Sequence, residues 1–597
     1  MEPREISKEL LTLGVKEIER EEKRGICVAF EAKSEPDKQI PCGLMLYDRE
    51  SGDCTGRYVF PQENVIGNVR YDFIEGVDLA NASYLFFEGE KVWTDVRAGA
   101  YMVEGRYGEK KAKDDYKALS VEHVYDWEGV SRPHLTYSES ILYCLHVRGF
   151  TKHESAGVIG GGTFRGIMEK LEYLKDLGIT TLELQPCYEF DEEGLNYWGY
   201  KEACYYAPKK HYAFSEDPVK ELKDLVKACH INHMEVILQF YFPDSVPRTE
   251  IPEILRYWSY HYQIDGFHVK GDHLPLQELI TDPYLSECKI LHHYFPEGPV
   301  KAYGTEKKRL GIYDEKYMYS MRRFLKSDEG TIKDAMKMIR RCPSEAGVIN
   351  YFSNYYGFTM LDMVSYNRKH NEANGENNRD GVDYNFTWNC GEEGPSQKRN
   401  VLKLRKKQLY NAFVMLMLSQ GTPLLFMGDE FGNSQGGNNN PYGQDNETTW
   451  LNWNDMNGHK DLFHFVKSLI AFRHKNRVFH MDKECTMTDY LSVGYPDLSY
   501  HNHAAWMPEL DEESRHIAFM LNGDYAEGCE GKLWYVAMNM HWEPQEFALP
   551  KLPAGAVWEK CLTTESTEGI LAYGDAGLRD RSVVVAPRSI AVYCGRQ

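Results

Sequence analysis

Residues 162–186 read GTFRGIMEKLEYLKDLGITTLELQP. Thr163 stands where a helix N-cap belongs, and Phe164, Ile167, Met168, Leu171 and Leu174 recur behind it at helical spacing. Gly178 closes the helix, and ITTLELQP reads as a buried strand. The unit recurs along the chain. ILYCLHVRGF (141–150) is a strand before it, DPVKELKDLVKACH (217–230) a helix with Pro218 in its first turn, and MEVILQFYF (234–242) the next strand. YQIDGFHV (262–269), GVINYF (347–352) and TPLLFMG (422–428) continue the series. Strand–helix alternation repeated this often predicts an α/β fold with a parallel sheet closed into a (β/α)8 TIM barrel over 136–487.

The flanks differ. Residues 1–135 carry short alternating runs parted by turns, ICVAFEA, GLMLYD, YVFP, NVRYDFIEG and ASYLFFEG, which predict an N-terminal β-sandwich. Residues 488–597 return to β-type runs, LWYVAMNMHW, AVWEKCL and SVVVAPRSIAVY, which predict a C-terminal antiparallel β-domain. The basic stretch QKRNVLKLRKKQLYNAF (397–413) reads as a solvated outer barrel helix with Leu and Phe turned inward.

Composition narrows the function. The 597 residues carry a net charge of −21, from 69 basic and 90 acidic side chains, which repels phosphate backbones and anionic membranes. No nucleic-acid or membrane partner is expected. Aromatic residues make up 13%, with 41 Tyr and 11 Trp, enough to leave rings for stacking on sugar faces as well as for cores. The 14 cysteines form no C-x-x-C pair and read as buried thiols of a reducing compartment. The N-terminal stretch MEPREISKELLTLGVKEIEREEKRG has no apolar leader core, and no apolar run reaches 18 residues. A cytoplasmic protein is expected, with no metal and no cofactor.

YCLHVRGFT (143–151), GTFRGIMEKLEYLKDLGITTLELQP and NYWGY (196–200) together resemble the opening of the catalytic barrel in the glycogen-debranching and isoamylase branch of the α-amylase superfamily, glycoside hydrolase family 13. SYNRKHNEANGENNRDGVDYNFTWNCGEEGP (365–395) and GTPLLFMGDEFGNSQGGNNNPYGQDNETTWLNW (421–453) are similar to signature segments of bacterial glycogen-debranching enzymes. The first 135 residues resemble that family's carbohydrate-binding-type sandwich, and NMHWEPQEFALPKLP (539–553) its C-terminal β-domain.

The resemblance implies a retaining cleavage of α-1,6 branch linkages by two carboxyl groups about 5–5.5 Å apart, with a further aspartate supporting the cationic transition state. This sequence departs from that pattern at each position. The fourth-strand pattern D-G-F-R-F-D is here DGFHVK (265–270), with His268 at the arginine and Lys270 at the nucleophile. Strand alternation puts His268 and Lys270 on one face. The acid/base position falls at or near His293 in ILHHYF (290–295). The third carboxylate, from a His-Asp pair, becomes Tyr355-Tyr356, and the D-V-V-Y-N-H after the third strand becomes Gln239 through Asp244.

An ammonium about 4 Å from a developing oxocarbenium costs about 4 kcal/mol at an effective dielectric near 20, roughly a thousandfold in rate. The resemblance therefore implies a catalytically degenerate member that binds α-glucan, such as glycogen or branched maltodextrin, or that partners an active glucan-metabolising enzyme. Asn196, Tyr197, Trp198, Tyr200, Gln239, His268 and Tyr355 are its expected substrate-contact positions. The alternative is an active α-1,6-glucan debranching hydrolase with relocated carboxylates, drawn from Asp265, Asp272, Glu297 and Asp362, with Asp272 the best placed, two residues past Lys270. A Schiff-base role for Lys270 rests on its presence alone, and a metal set of His268, His292 and His293 is weakened because adjacent strand residues face opposite ways.

Overall fold

The computed structural model describes residues 12–20, 23–34, 40–109, 116–303, 308–566, 578 and 581–596. The first eleven residues of the N-terminal stretch lie outside these. Eight parallel strands close into a barrel, as expected from the alternation: β1 Leu142–Leu145, β2 Thr181–Leu184, β3 Glu235–Tyr241, β4 Gly266–Lys270, β5 Lys289–His292, β6 Leu310–Ile312, β7 Gly347–Asn350 and β8 Thr422–Phe426. β1 pairs with both β2 and β8, which leaves no free edge.

The opening stretch folds as read, with one difference. Its helix comes in two pieces, Phe164–Glu169 and Leu171–Leu177, hinged at Lys170. Thr163 caps the first piece by accepting from the Gly166 amide. Gly178 ends the second at φ 96°, where its amide donates to Lys175 O at 3.0 Å and the Ile179 amide to Leu174 O at 3.0 Å. That pair of bonds satisfies the last carbonyls of the helix and turns the chain into β2. Further on, Asp217 accepts from the Lys220 amide at 2.9 Å and Pro218 occupies the first turn of the helix Pro218–Ile231. Its Leu222, Leu225, Val226 and Cys229 are buried.

Tyr137 packs into the N-terminal end of the barrel, and Gly311 and Gly347 make room for it. A Cβ on Gly347 would stand 2.3 Å from the Tyr137 ring, and one on Gly311 2.6 Å from its hydroxyl. Side-chain substitution at either glycine therefore requires this ring to move.

Antiparallel sheets flank the barrel. On the N-terminal side a four-stranded sheet (Gly14–Arg20, Lys23–Glu31, Val69–Glu75, Val65–Ile66) and a larger one built on Cys42–Asp48 and Ala82–Glu88 share a core of Ile26, Val28, Phe30, Leu44, Tyr84 and Phe86. On the C-terminal side a five-stranded sheet runs Leu498–His501, His516–Asn522, Leu533–Asn539, Ser589–Arg596, Val557–Thr563. Alternation divides its strands: Ile517, Phe519 and Leu521 join the barrel's core, whereas Ala518 and Met520 pack under Phe547 and Trp558.

This second docking changes the reading of the basic helix. It spans Arg399–Leu418, and every residue from Gln408 to Leu418 is buried, so only its first half is an outer solvated helix. Asn411 Nδ2 donates to Arg588 O at 2.9 Å and Lys407 Nζ to Pro587 O at 3.2 Å, both across to the C-terminal sheet. The cysteine side chains are buried except those of Cys54 and Cys204. No helix among the described residues is long and apolar enough to cross a membrane.

Gly178 carries a direct test of the turn into β2. A Cβ there would lie 2.7 Å from Ile470 Cγ2 on a backbone at positive φ. Gly178→Ala is expected to cost about 2 kcal/mol, read as a lowered urea midpoint, with Glu172→Ala as the neutral control. An unchanged midpoint would show that this turn is not strained by a side chain.

Candidate functional site

In (β/α)8 proteins chemistry gathers where the strands end at the C-terminal face. There the register sets Gln239 beside His268 and Tyr241 beside Lys270. β2 brings Glu183 into the same interior, level with Cys144 of β1 and Ile237 of β3. His292 closes β5, and His293 lies one residue beyond it, exposed. The loop after β7 supplies Tyr355 and Tyr356, and a hairpin after β2, strands Tyr188–Phe190 and Ala203–Pro208, carries Asn196 through Tyr200.

Glu183 is fully buried. Its Oε1 accepts from Gln239 Nε2 at 2.7 Å and lies 2.6 Å from His268 Nδ1. Its Oε2 has no hydrogen-bond partner among the described residues. The contacts continue outward. Gln239 Oε1 lies 3.1 Å from the Tyr200 hydroxyl, which is 2.8 Å from the Tyr355 hydroxyl, and Lys270 Nζ donates to Tyr355. The ammonium also sits 4.6 Å from the Tyr355 ring centre and 5.0 Å from that of Tyr356. The phenol faces thus supply partial negative charge where a carboxylate is absent.

His268 stacks on Tyr313 at 4.2 Å, and Trp198 meets Tyr355 edge-on at 5.2 Å. Burial pushes Lys270 down to about 8, against a pull from Glu183 in the other direction. Burial lowers His268, lowers His293 with help from Lys270, and takes His292 down to about 4. The groups gathered at the mouth are therefore an amine, neutral imidazoles, phenols and an amide, set over buried Glu183, with the Glu315 carboxylate close enough to act on Lys270, His293 and Tyr356.

Not every expected contact residue faces this space. Tyr197 is 4% exposed and lies face to face with His146 at 3.9 Å. Asn196 is consumed within its hairpin, where Nδ2 donates to Asp191 O at 2.6 Å. Tyr200, Gln239, His268, Lys270 and Tyr355 come together, with Trp198 against Tyr355. Tyr356 lies over Lys270 and near Tyr351, whose hydroxyl is 3.3 Å away.

The relocated-carboxylate candidates are dispersed. Asp265 Oδ2 accepts from the Val236 amide at 2.7 Å and pairs with His230 at 2.8 Å, at the start of β4 rather than its end. Asp362 is held by the Ser434 hydroxyl at 2.5 Å and the Gln435 amide at 2.8 Å. Asp272 and Glu297 are exposed. β4 ends at Lys270 and Gly271 adopts φ 142°, so strand alternation does not carry Asp272 onto the face of Lys270. His293, beyond the end of β5, is likewise not subject to the alternation that weakened a His268, His292, His293 set, yet among the described residues the three do not bring their ligand atoms together as a metal site would.

Glu183 escaped the sequence reading although its signal was present. It is the one acidic residue in TTLELQP, at the parity opposite Leu182 and Leu184. The two Asn-rich segments form a scaffold for the mouth. Asn371 Nδ2 donates to Asn439 Oδ1 at 2.9 Å, and Asn374 and Asn440 both donate to Asp380 Oδ2, at 2.7 and 3.0 Å. From this block the Asn439 carbonyl holds the Gly357 amide at 2.8 Å and the Tyr442 carbonyl that of Trp198 at 3.3 Å. A cavity of about 530 Å³ opens at the opposite, N-terminal end of the barrel, between Tyr137, Lys289, Arg309 and Gly347.

The α-amylase catalytic-domain family matches residues 144–245. Isoamylase 1, chloroplastic, of Arabidopsis thaliana is 31% identical over 555 residues, spanning 74% of this chain and 68% of that protein. The counterpart from Oryza sativa subsp. japonica is 29% identical over 629 residues, spanning 84% and 76%. Among solved structures, the pullulanase from Bacillus acidopullulyticus has a TM-score of 0.70 at 18% identity, covering 98% of this chain and 75% of its own. At that identity the likeness speaks for the fold alone.

The enclosure of Lys270 is open to measurement. Its side chain is expected to lose its proton near pH 8, being charged below and neutral above, where an ordinary lysine does so above pH 10. NMR titration of ¹³C-dimethylated lysines, assigned with Lys270→Met, reads this. A Lys270 midpoint above 10 would refute the buried, aromatic setting.

Proposed function

The chain belongs to the isoamylase and glycogen-debranching branch of the α-amylase superfamily, and from that premise we propose that it binds α-glucan without cutting it. One observation carries this reading. The strand ends where the family's chemistry needs paired carboxyl groups present Lys270, His293, Tyr355 and Tyr356, while the carboxylate beneath them, Glu183, is engaged by Gln239 and His268. Retaining hydrolysis needs an anion to attack the anomeric carbon and an acid to protonate the leaving oxygen. A lysine and a pair of phenols supply neither at neutral pH, and the ammonium opposes the cationic transition state.

What remains suits recognition. Partly exposed Tyr200 and Tyr241 stack at the mouth over buried Trp198 and Tyr355, and exposed Tyr294 lies beside His293. Sugars bind to such mixed surfaces through their apolar C–H faces and polar rims. A related protein from Haemophilus influenzae, 32% identical over 447 residues, is a glycogen operon protein homologue, which supports a glycogen-type ligand for this chain. With its thiol-rich composition we place it in the cytoplasm, acting through the glucan or through an active glucan-metabolising enzyme. For the second reading, an active debranching enzyme using relocated carboxylates, Asp265 and Asp362 are engaged elsewhere, and Asp272 and Glu297 are exposed.

The test incubates the pure full-length protein with glycogen and branched limit dextrins. Retardation in a glycogen-containing gel with no release of reducing ends is the expected result, and Lys270→Asp alone should not restore hydrolysis because the acid is still missing. Release of reducing ends that Asp272→Asn abolishes would overturn the non-cutting reading.

A further inference from the structure

Outside the barrel, the strand pair Leu498–His501 and His516–Asn522 runs antiparallel with Leu498 opposite Leu521 and His501 opposite Ala518. Extended by two residues, the same register sets His503 opposite His516, although the chain has left the strand by then. Their Nε2 atoms are 3.1 Å apart. His503 Nδ1 is 2.6 Å from the Glu546 carbonyl, which can only accept, so Nδ1 carries the proton and the Nε2 lone pair points at His516. Glu509, on the loop between the two histidines, brings Oε2 to 3.9 Å from His516 Nε2, and the three ligand atoms lie within 4.8 Å of one another.

We propose that His503, His516 and Glu509 form a binding site for a divalent transition-metal ion of the zinc type. Two imidazole nitrogens on one tetrahedral ion, each about 2.0–2.1 Å from it, stand about 3.3–3.4 Å apart, close to the spacing already present. Two nitrogens and a carboxylate oxygen are a donor set suited to zinc and poorly suited to calcium or magnesium, which take oxygen cages. The Glu546 carbonyl supplies the outer hydrogen bond that orients a ligating histidine. His516 is buried and fixed in the sheet, whereas His503 is exposed and Glu509 half-exposed, so the ion has a way in and a fourth position for water.

The site has a structural consequence. Its loop also touches the barrel: the Gly330 amide donates to Glu512 O at 3.0 Å, and Arg515 reaches Ser327 O at 3.1 Å and Glu329 at 2.9 Å. An ion held by one residue from each end of the loop and one from its middle fastens the C-terminal sheet to the turn after the helix Lys316–Lys326.

Chelator-stripped full-length protein, titrated with Zn²⁺ against a chromophoric competitor at neutral pH, is expected to take up one ion per chain. His503→Gln and Glu509→Gln, both outside the core, should weaken uptake at least about tenfold and abolish the rise in melting temperature on zinc addition. Co²⁺ in place of Zn²⁺ should give the visible bands of a four-coordinate site. Absence of uptake at micromolar free zinc, or uptake indifferent to both substitutions, would overturn the proposal.

Discussion

A carboxylate fully buried inside the barrel sets the terms for everything above it. A buried carboxyl group is tolerable only where hydrogen bonds are supplied to it, and Gln239 and His268 supply them to Glu183. Once Gln239 is turned toward Glu183, its carbonyl oxygen faces Tyr200, and Tyr200 meets Tyr355. Tyr355 in turn receives Lys270. Each contact fixes the orientation of the next, so the mouth is a connected polar network rather than a set of independent substitutions. In such a network the low dielectric strengthens satisfied contacts and penalises a single broken one.

The network also links the positions, Lys270, His268 and Tyr355 among them, where the sequence is expected to depart from the family pattern. A lysine at the end of β4 beside a carboxylate-rich cleft would be drawn into ion pairs. Here it is sheltered by two phenol rings, and burial eases it toward the neutral form. The imidazoles around it are likewise held neutral by burial. Outside this ring, the Asn-rich segments bind each other and then hold the Trp198 and Gly357 backbones, so retention of those segments preserves the mouth's shape independently of its chemistry.

Much of the fold was legible because its signals are local. The spacing of Phe164, Ile167, Leu171 and Leu174, the cap at Thr163 and the stop at Gly178 specify a helix and a turn within a few residues of one another. Strand alternation likewise places His268 and Lys270 on one side of β4. The errors arose where distant surfaces meet. The second half of Arg399–Leu418 is buried because the C-terminal sheet covers it, which nothing within the helix announces. Tyr197 sits in a motif suggestive of sugar stacking, yet His146, far back in the chain, takes one face of its ring.

The sequence by itself determined the barrel, its flanking β-sheets and the chemical types at the four strand ends, since periodicity, caps and aligned motifs are properties of neighbouring residues. Only the tertiary structure decided what those types do to one another. Closing the barrel juxtaposes Glu183 of β2 with His268 of β4, 85 residues apart, and with Gln239 of β3. Antiparallel pairing brings His503 to His516 with no motif spacing to reveal it. Hydrogen bonds and ligand geometry act over about 3 Å, a distance that chain separation does not predict and that only packing of the elements can set.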